Sequence, residues 1–241
     1  MLEVKDLRKQ FGAVEVVKGV SFTVDKGEVL GFLGPNGAGK TTTMRMITGF
    51  LPATSGTVLV NGKDAVADPV AAKALMGYLP ENAPSYHSMT VSGFLSFIAE
   101  VRGYRGSEKR DRIDAAIRQC RMEPVRNQSI GTLSKGFRQR VCFAQAILHD
   151  PPILIMDEPT DGLDPNQKHT VREMIRRMAS TKAIIVSTHI LEEVDAVCTR
   201  AIIINQGTIV ANGTPATLRA QSPSGRLDDV FRMLTVGKDE Q

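Results

Sequence analysis

An α/β fold interrupted by an all-helical insert is what this sequence predicts, and three observations predict it. Short apolar runs, Val29–Leu33 and, ending in polar residues, Ile153–Met156 and Ala183–Ser187, read as strands buried on both faces, the pattern of a parallel sheet. Stretches with helical periodicity alternate with them, as strand–helix–strand units require. From Thr90 to about Leu148 that rhythm stops, and the pattern reads as helical throughout.

Leu2–Leu7 alternates like a half-buried strand and Val16–Val24 reads as another, with turns at Phe11-Gly12 and Asp25-Lys26-Gly27. Together they suggest an antiparallel sheet ahead of Val29–Leu33. The next stretch, Gly34-Pro35-Asn36-Gly37-Ala38-Gly39-Lys40-Thr41-Thr42, separates that strand from a helix-like run through Ile47. Gly34 and Gly39-Lys40-Thr41 satisfy the P-loop pattern, in which glycines let backbone N–H groups close around phosphate oxygens at the positive end of a helix. Lys40 would reach the β- and γ-phosphates, and the Thr41 hydroxyl would hold Mg²⁺. Phe11, just before the first turn, can stack on an adenine or simply pack at a strand end. Thr54–Gly62 gives a turn, a short strand and an Asn-Gly turn, Val70–Met76 a helix, and Gly77–Pro80 a strand stopped by proline.

In the insert, Val91, Phe94, Leu95, Ile98 and Val101 share one helical face, and Ile113, Ala116, Ile117 and Cys120 share another. The charged stretch Arg102–Arg121 is most simply their solvated side. Beyond it Gln167–Ser180 is helical, Ala201–Asn205 and Thr208–Ala211 form a hairpin-like pair, and the tail carries one amphipathic helix with Leu227, Val230, Phe231 and Leu234. The expected organisation is a core with its β subdomain over 1–85 and 150–220, a helical subdomain over 86–149 and a tail over 221–241.

At 241 residues and 42% hydrophobic content the chain can bury a substantial core. A net charge of +4, with dispersed Lys and Arg outside 102–121, does not argue for a nucleic-acid partner. The N-terminus lacks a signal-peptide pattern, and no apolar run approaches the roughly 18–20 residues that cross a bilayer, so a soluble chain is expected. Cys120, Cys142 and Cys198 are far apart and without metal-ligand spacing, which fits reduced residues of a cytoplasmic protein.

Nucleotide hydrolysis needs a metal held opposite the P-loop and a group that orients or deprotonates water. Asp157 and Glu158 close the apolar run Ile153–Met156, where caps and solvated charges are poor explanations of paired acids. Asp157 would hold Mg²⁺ and Glu158 would act as general base. His189 closes a neighbouring strand, and parallel strands present their carboxyl ends together, so it can sense the γ-phosphate in the same crevice.

Gly34–Thr41, Leu133-Ser134-Lys135-Gly136-Phe137-Arg138-Gln139-Arg140, Ile153–Glu158, Gly162-Leu163-Asp164 and His189 come in the order of the ABC ATPase family, which this chain resembles over nearly its whole length. The resemblance implies a P-loop NTPase (RecA-like) core, an ATPase activity, and ATP and Mg²⁺ as ligands. It places Phe11 on the adenine-stacking aromatic, Ser134, Lys135, Gly136 and Phe137 on the signature motif, Asp161 and Asp164 on the D-loop, and His189 on the switch histidine. Lys135 and Phe137 depart from the common Leu-Ser-Gly-Gly-Gln form. Where the family has a glutamine after the Gly-Tyr-Leu-Pro strand this chain has Glu81, so either Glu81 or, in a shifted register, Asn82 would reach Mg²⁺ or the lytic water. The Ser-Lys-Gly-aromatic-Arg-Gln-Arg form and the closing Leu227-Asp228-Asp229-Val230-Phe231 resemble the subgroup that pairs with ABC-2 permeases, which implies export through separate membrane subunits and a peripheral place on the inner face of the cell membrane. One P-loop and one signature per chain imply a homodimer or pairing with a homologous ATPase subunit. Rival readings are a soluble ABC-type ATPase acting on DNA or ribosomes, whose long coiled coils or tandem cassettes are not found, and a kinase or a GTPase, whose guanine-specifying Asn-Lys-x-Asp stretch is lacking.

Overall fold

The computed structural model describes residues 1–81 and 86–235. Asn82, the alternative to Glu81, and the last six residues of the tail lie outside the described residues. Strands β1 (Leu2–Phe11) and β2 (Val14–Val24) precede β3 (Val29–Leu33) and helix α1 (Lys40–Ile47), followed by β4 (Ser55–Val60), β5 (Lys63–Asp64), α2 (Pro69–Ala74) and β6 (Met76–Leu79). Then come α3 (Val91–Val101), α4 (Gly106–Gln119), α5 (Lys135–Ile147), β7 (Ile153–Asp157), α6 (Pro165–Ala179), β8 (Ala183–Thr188) and α7 (Leu191–Val197). The chain continues through β9 (Arg200–Asn205), β10 (Thr208–Gly213), α8 (Pro215–Arg219) and α9 (Leu227–Thr235).

Two sheets form. One is antiparallel, in the order β2-β1-β4-β5, and the other has six strands in the order β10-β9-β3-β8-β7-β6. In the second sheet β9, β3, β8, β7 and β6 run parallel, and β10 closes the edge as an antiparallel hairpin with β9. The central strands are buried along their whole length, which is why they read as unbroken apolar runs rather than alternating ones. Helix α1 lies between the sheets: Met44 and Ile47 pack with Leu2, Val4, Phe22, Phe32, Ile155 and Ile185 in one core. The other face of the parallel sheet is covered by the helices that follow β6, with Phe94, Leu95, Ile117, Phe143, Leu154 and Ile175 in a second core.

The register fixes where chemistry can happen. Leu33 pairs with Thr188, Asp157 with Ser187 and Leu79 with Met156, so four strands end at one edge, and the loops that follow them meet there.

Several expectations need correction. The helix read over Val70–Met76 stops at Ala74, because Met76 is taken into the sheet opposite Ile153. The insert is not helical throughout: between α4 and α5, residues 120–134 form only two single-turn 3₁₀ segments, at Glu123–Val125 and Ile130–Thr132. Val101 does not share the buried face of α3, being 69% exposed at the helix's last turn. The short helices α7 and α8 were not foreseen, since neither is long enough to show a period. The cysteine thiols are held un-ionised by burial, Cys142 pushed up to about 11 and Cys198 to about 12.

Candidate active site

The loop between β3 and α1 owes its shape to glycine. Gly37 and Gly39 stand at φ +81° and +101°, and a Cβ on Gly39 would lie 3.0 Å from the Val16 carbonyl oxygen, so β2 passes close beneath the loop. Gly39 caps α1, and the Thr43 hydroxyl bonds back to its carbonyl at 2.8 Å. The result is a helix N-terminus bordering a cavity of about 520 Å³, lined by Asn36, Gly37, Gly39, Lys40, Thr41 and Thr42 together with Val16, Glu81, Glu158, Asp161 and His189. Backbone N–H groups and the α1 dipole favour an anion there.

Lys40 is buried, its Nζ donating to the carbonyls of Gly34 (2.8 Å) and Pro35 (3.2 Å) and lying 3.5 Å from Glu158 Oε1. The other carboxylate oxygen, Oε2, is 3.0 Å from His189 Nδ1. An ionised carboxylate only accepts, so Nδ1 carries the hydrogen in this contact. Glu158 itself sits at φ +49°, a left-handed conformation that costs a non-glycine residue about 1–2 kcal/mol and needs support from its surroundings. Part of that support is its N–H, which donates to the Ser187 carbonyl at 3.1 Å.

Asp157 is completely buried at the end of β7. Its Oδ1 accepts from the Thr41 hydroxyl at 3.2 Å and from the Ser187 hydroxyl, while Oδ2 is buried with no hydrogen-bond partner. A carboxylate oxygen left so costs roughly 1–3 kcal/mol, and a cation beside Thr41 would relieve it. Among the described residues no group of three His, Cys, Asp or Glu side chains is placed to hold a metal ion by itself, so such an ion would complete its shell from the bound phosphates and water.

The structure thus brings together the P-loop, Asp157, Glu158, Asp161 and His189, with Glu81 exposed on the cavity wall. Ala38 is buried beneath the loop. Phe11 is not among the lining residues: it is 48% exposed at the β1–β2 tip, with Lys9 Nζ 4.9 Å from its ring, and Val16 lines the wall instead. The signature stretch stands elsewhere. Ser134 caps α5, accepting from the Phe137 N–H at 3.4 Å, and Phe137 is covered by the Arg140 guanidinium at 3.9 Å. Lys135 reaches Gly162 and Gly136 lies under Gln167, so this helix start abuts the stretch after Glu158, where Asp164 caps α6. Sequence reasoning passed over Ser187 and Gln139. The signal for Ser187 was its place as a hydroxyl closing an apolar strand; Gln139 lies within the signature stretch, but nothing local marks its contact with Pro159.

A family model described as ABC transporter matches residues 17–161. The chain is similar to the ABC transporter ATP-binding protein NatA of Bacillus subtilis (strain 168), 36% identical over 96% of each chain. It is also similar to the Nod factor export ATP-binding protein I of Ralstonia nicotianae, 36% identical over 90% of this chain and 68% of that one. A solved structure described as the ATP binding subunit of an ABC transporter superposes with a TM-score of 0.86 at 33% identity, covering 97% of this chain and 99% of the other.

Proposed function

The chain belongs to the family of ABC transporter ATP-binding proteins and is an ATPase, and from that premise we propose that it hydrolyses ATP with Glu158 as general base to drive export through separate permease subunits. The observation that carries the reading is the arrangement of Glu158, placed between Lys40 and His189 at the mouth of an anion-binding loop. In this reading the P-loop amides and Lys40 bind the phosphates. Glu158 takes the proton from the attacking water, and His189 holds the carboxylate in line and meets the γ-phosphate. Asp157 and Thr41 would hold Mg²⁺, and Glu81 lines the same cavity; when bound, the ion would neutralise charge on the phosphates. Phosphate release by the purified chain, lost on chelation of the metal and in Glu158→Gln, tests the reading; chelation without effect would overturn the metal assignment.

Ser134, Lys135, Gly136 and Phe137 line no part of the P-loop cavity, although the α5 start is a helix N-terminus, whose dipole suits phosphate. The reading that uses both is a shared site, in which the α5 start of one chain meets the nucleotide held by another, either a second copy or a homologous subunit.

Export is supported by the relative named for Nod factor export. Among the described residues no helix is long and apolar enough to cross a membrane. The proposed partners that would span it are permeases of the ABC-2 type. The insert offers a contact for them. Phe94 is buried and Met89 packs on the helical core, but Tyr86 (57% exposed) and Phe97 (41%) stack edge to face at 5.8 Å on its surface. A cleft of about 510 Å³, lined by Phe50, Tyr78, Arg45 and Lys73, is bordered from the insert by Arg102. Photocrosslinkers at positions 86 and 97 should capture a polytopic membrane protein in cells. Capture only from positions on the β1–β2 sheet would place the contact elsewhere.

A further inference from the structure

We infer that Gln139 is a positioning residue for hydrolysis, pinning the backbone that carries Glu158 from the signature helix of the same chain. The inference rests on Glu158 being the general base. Gln139 lies on the second turn of α5, partly buried, and its Nε2 donates to the Pro159 carbonyl at 3.2 Å. Pro159 follows directly on a residue in the left-handed region and has no N–H with which to anchor itself. The rest of the turn is closed locally, by the Asp161 N–H to the Glu158 carbonyl at 3.2 Å and the Leu163 N–H to the Thr160 carbonyl at 3.3 Å. Such bonds shape the turn, whose start is held to β8 by the Glu158 N–H on Ser187. Gln139 ties it to another element, and two further contacts run the same way: Lys135 reaches Gly162, where a Cβ would lie 2.0 Å from Nζ, and Gly136 fits under Gln167, where a Cβ would lie 2.4 Å from the amide carbon.

The first two turns of α5 and the stretch from Glu158 to Gln167 are therefore interlocked at three points. A shift of α5, which opens with the residues suited to a second nucleotide, would move the Glu158 turn with it. Because a displacement of about 1 Å at a reacting group can cost a hundredfold in rate, the bond from Gln139 bears on turnover rather than on nucleotide binding.

Two variants test this. Gln139→Leu keeps the bulk and removes the donor; kcat should fall at least about tenfold with the KM for ATP within about twofold of wild type. Gln139→Glu can donate to the Pro159 carbonyl only when protonated, so its activity relative to wild type should be lowest at neutral pH. That ratio should rise as pH falls toward the carboxyl range near 4.3. A role in packing alone would shift thermal unfolding without that pH signature. Both variants turning over within about twofold of wild type, or a ratio flat with pH, would overturn the inference while Glu158→Gln remained inactive. An active Glu158→Gln would instead remove the general base on which it rests.

Discussion

Glu158→Gln should bind ATP and hydrolyse it at least about a hundredfold more slowly than wild type, since general-base catalysis contributes about 10²–10⁴ and an amide cannot take the water's proton. The geometry makes this a clean substitution. Glutamine keeps the size of a side chain that is 9% exposed, and its amide oxygen can still accept from His189 Nδ1 at the site of the 3.0 Å contact. What changes beyond the base is the 3.5 Å pairing with Lys40. Losing that counter-charge leaves the ammonium free for phosphate, so ATP affinity should hold or rise. Single-turnover phosphate release with parallel calorimetry separates the effects; a rate within tenfold of wild type would move the general base to another residue.

Lys40→Ala should reduce ATP affinity by at least about a hundredfold, because hydrogen bonds to charged groups contribute about 1.5–3 kcal/mol each and the ammonium would make more than one to the β- and γ-phosphates. Affinity within about threefold of wild type by calorimetry would contradict the P-loop assignment. The fold should survive, though not untouched. Lys40 is 6% exposed and satisfies the Gly34 and Pro35 carbonyls, and its removal leaves Glu158 with His189 alone. The site opens to solvent through the cavity, which limits the cost of the lost partner. A loss of about 1–3 kcal/mol in unfolding free energy follows.

The parts of this site that were legible in the sequence are those in which a local pattern has one physical cause. Val29–Leu33 followed by a glycine loop and Gly39-Lys40-Thr41 reads as a strand, a tight loop and a helix start, and the structure has all three. Asp157 and Glu158 stood out because carboxylates close an apolar run. What escaped the reading depends on contacts between distant residues. Ser187 bonds to Asp157 and to the Glu158 N–H from 30 and 29 residues away, and Gln139 reaches Pro159 across 20. Neither pairing leaves a trace in periodicity. The stretch 120–134 misled for the converse reason: Met122, Val125, Ile130 and Leu133 are buried like helix residues, but they belong to turns pressed onto the insert's core. Val101 has the right spacing for α3 but is its last residue, and there it is exposed.

The separation of the α5 start from the P-loop cavity is what makes a single chain an incomplete ATPase in this account. Glu158→Gln protein loaded with ATP and applied to size exclusion at tens of micromolar tests that most directly. A dimer with ATP, a monomer with ADP, and a monomer again when Ser134→Arg is added in the same background are the results predicted. ATP-loaded Glu158→Gln that elutes as a monomer at that concentration would contradict the shared site.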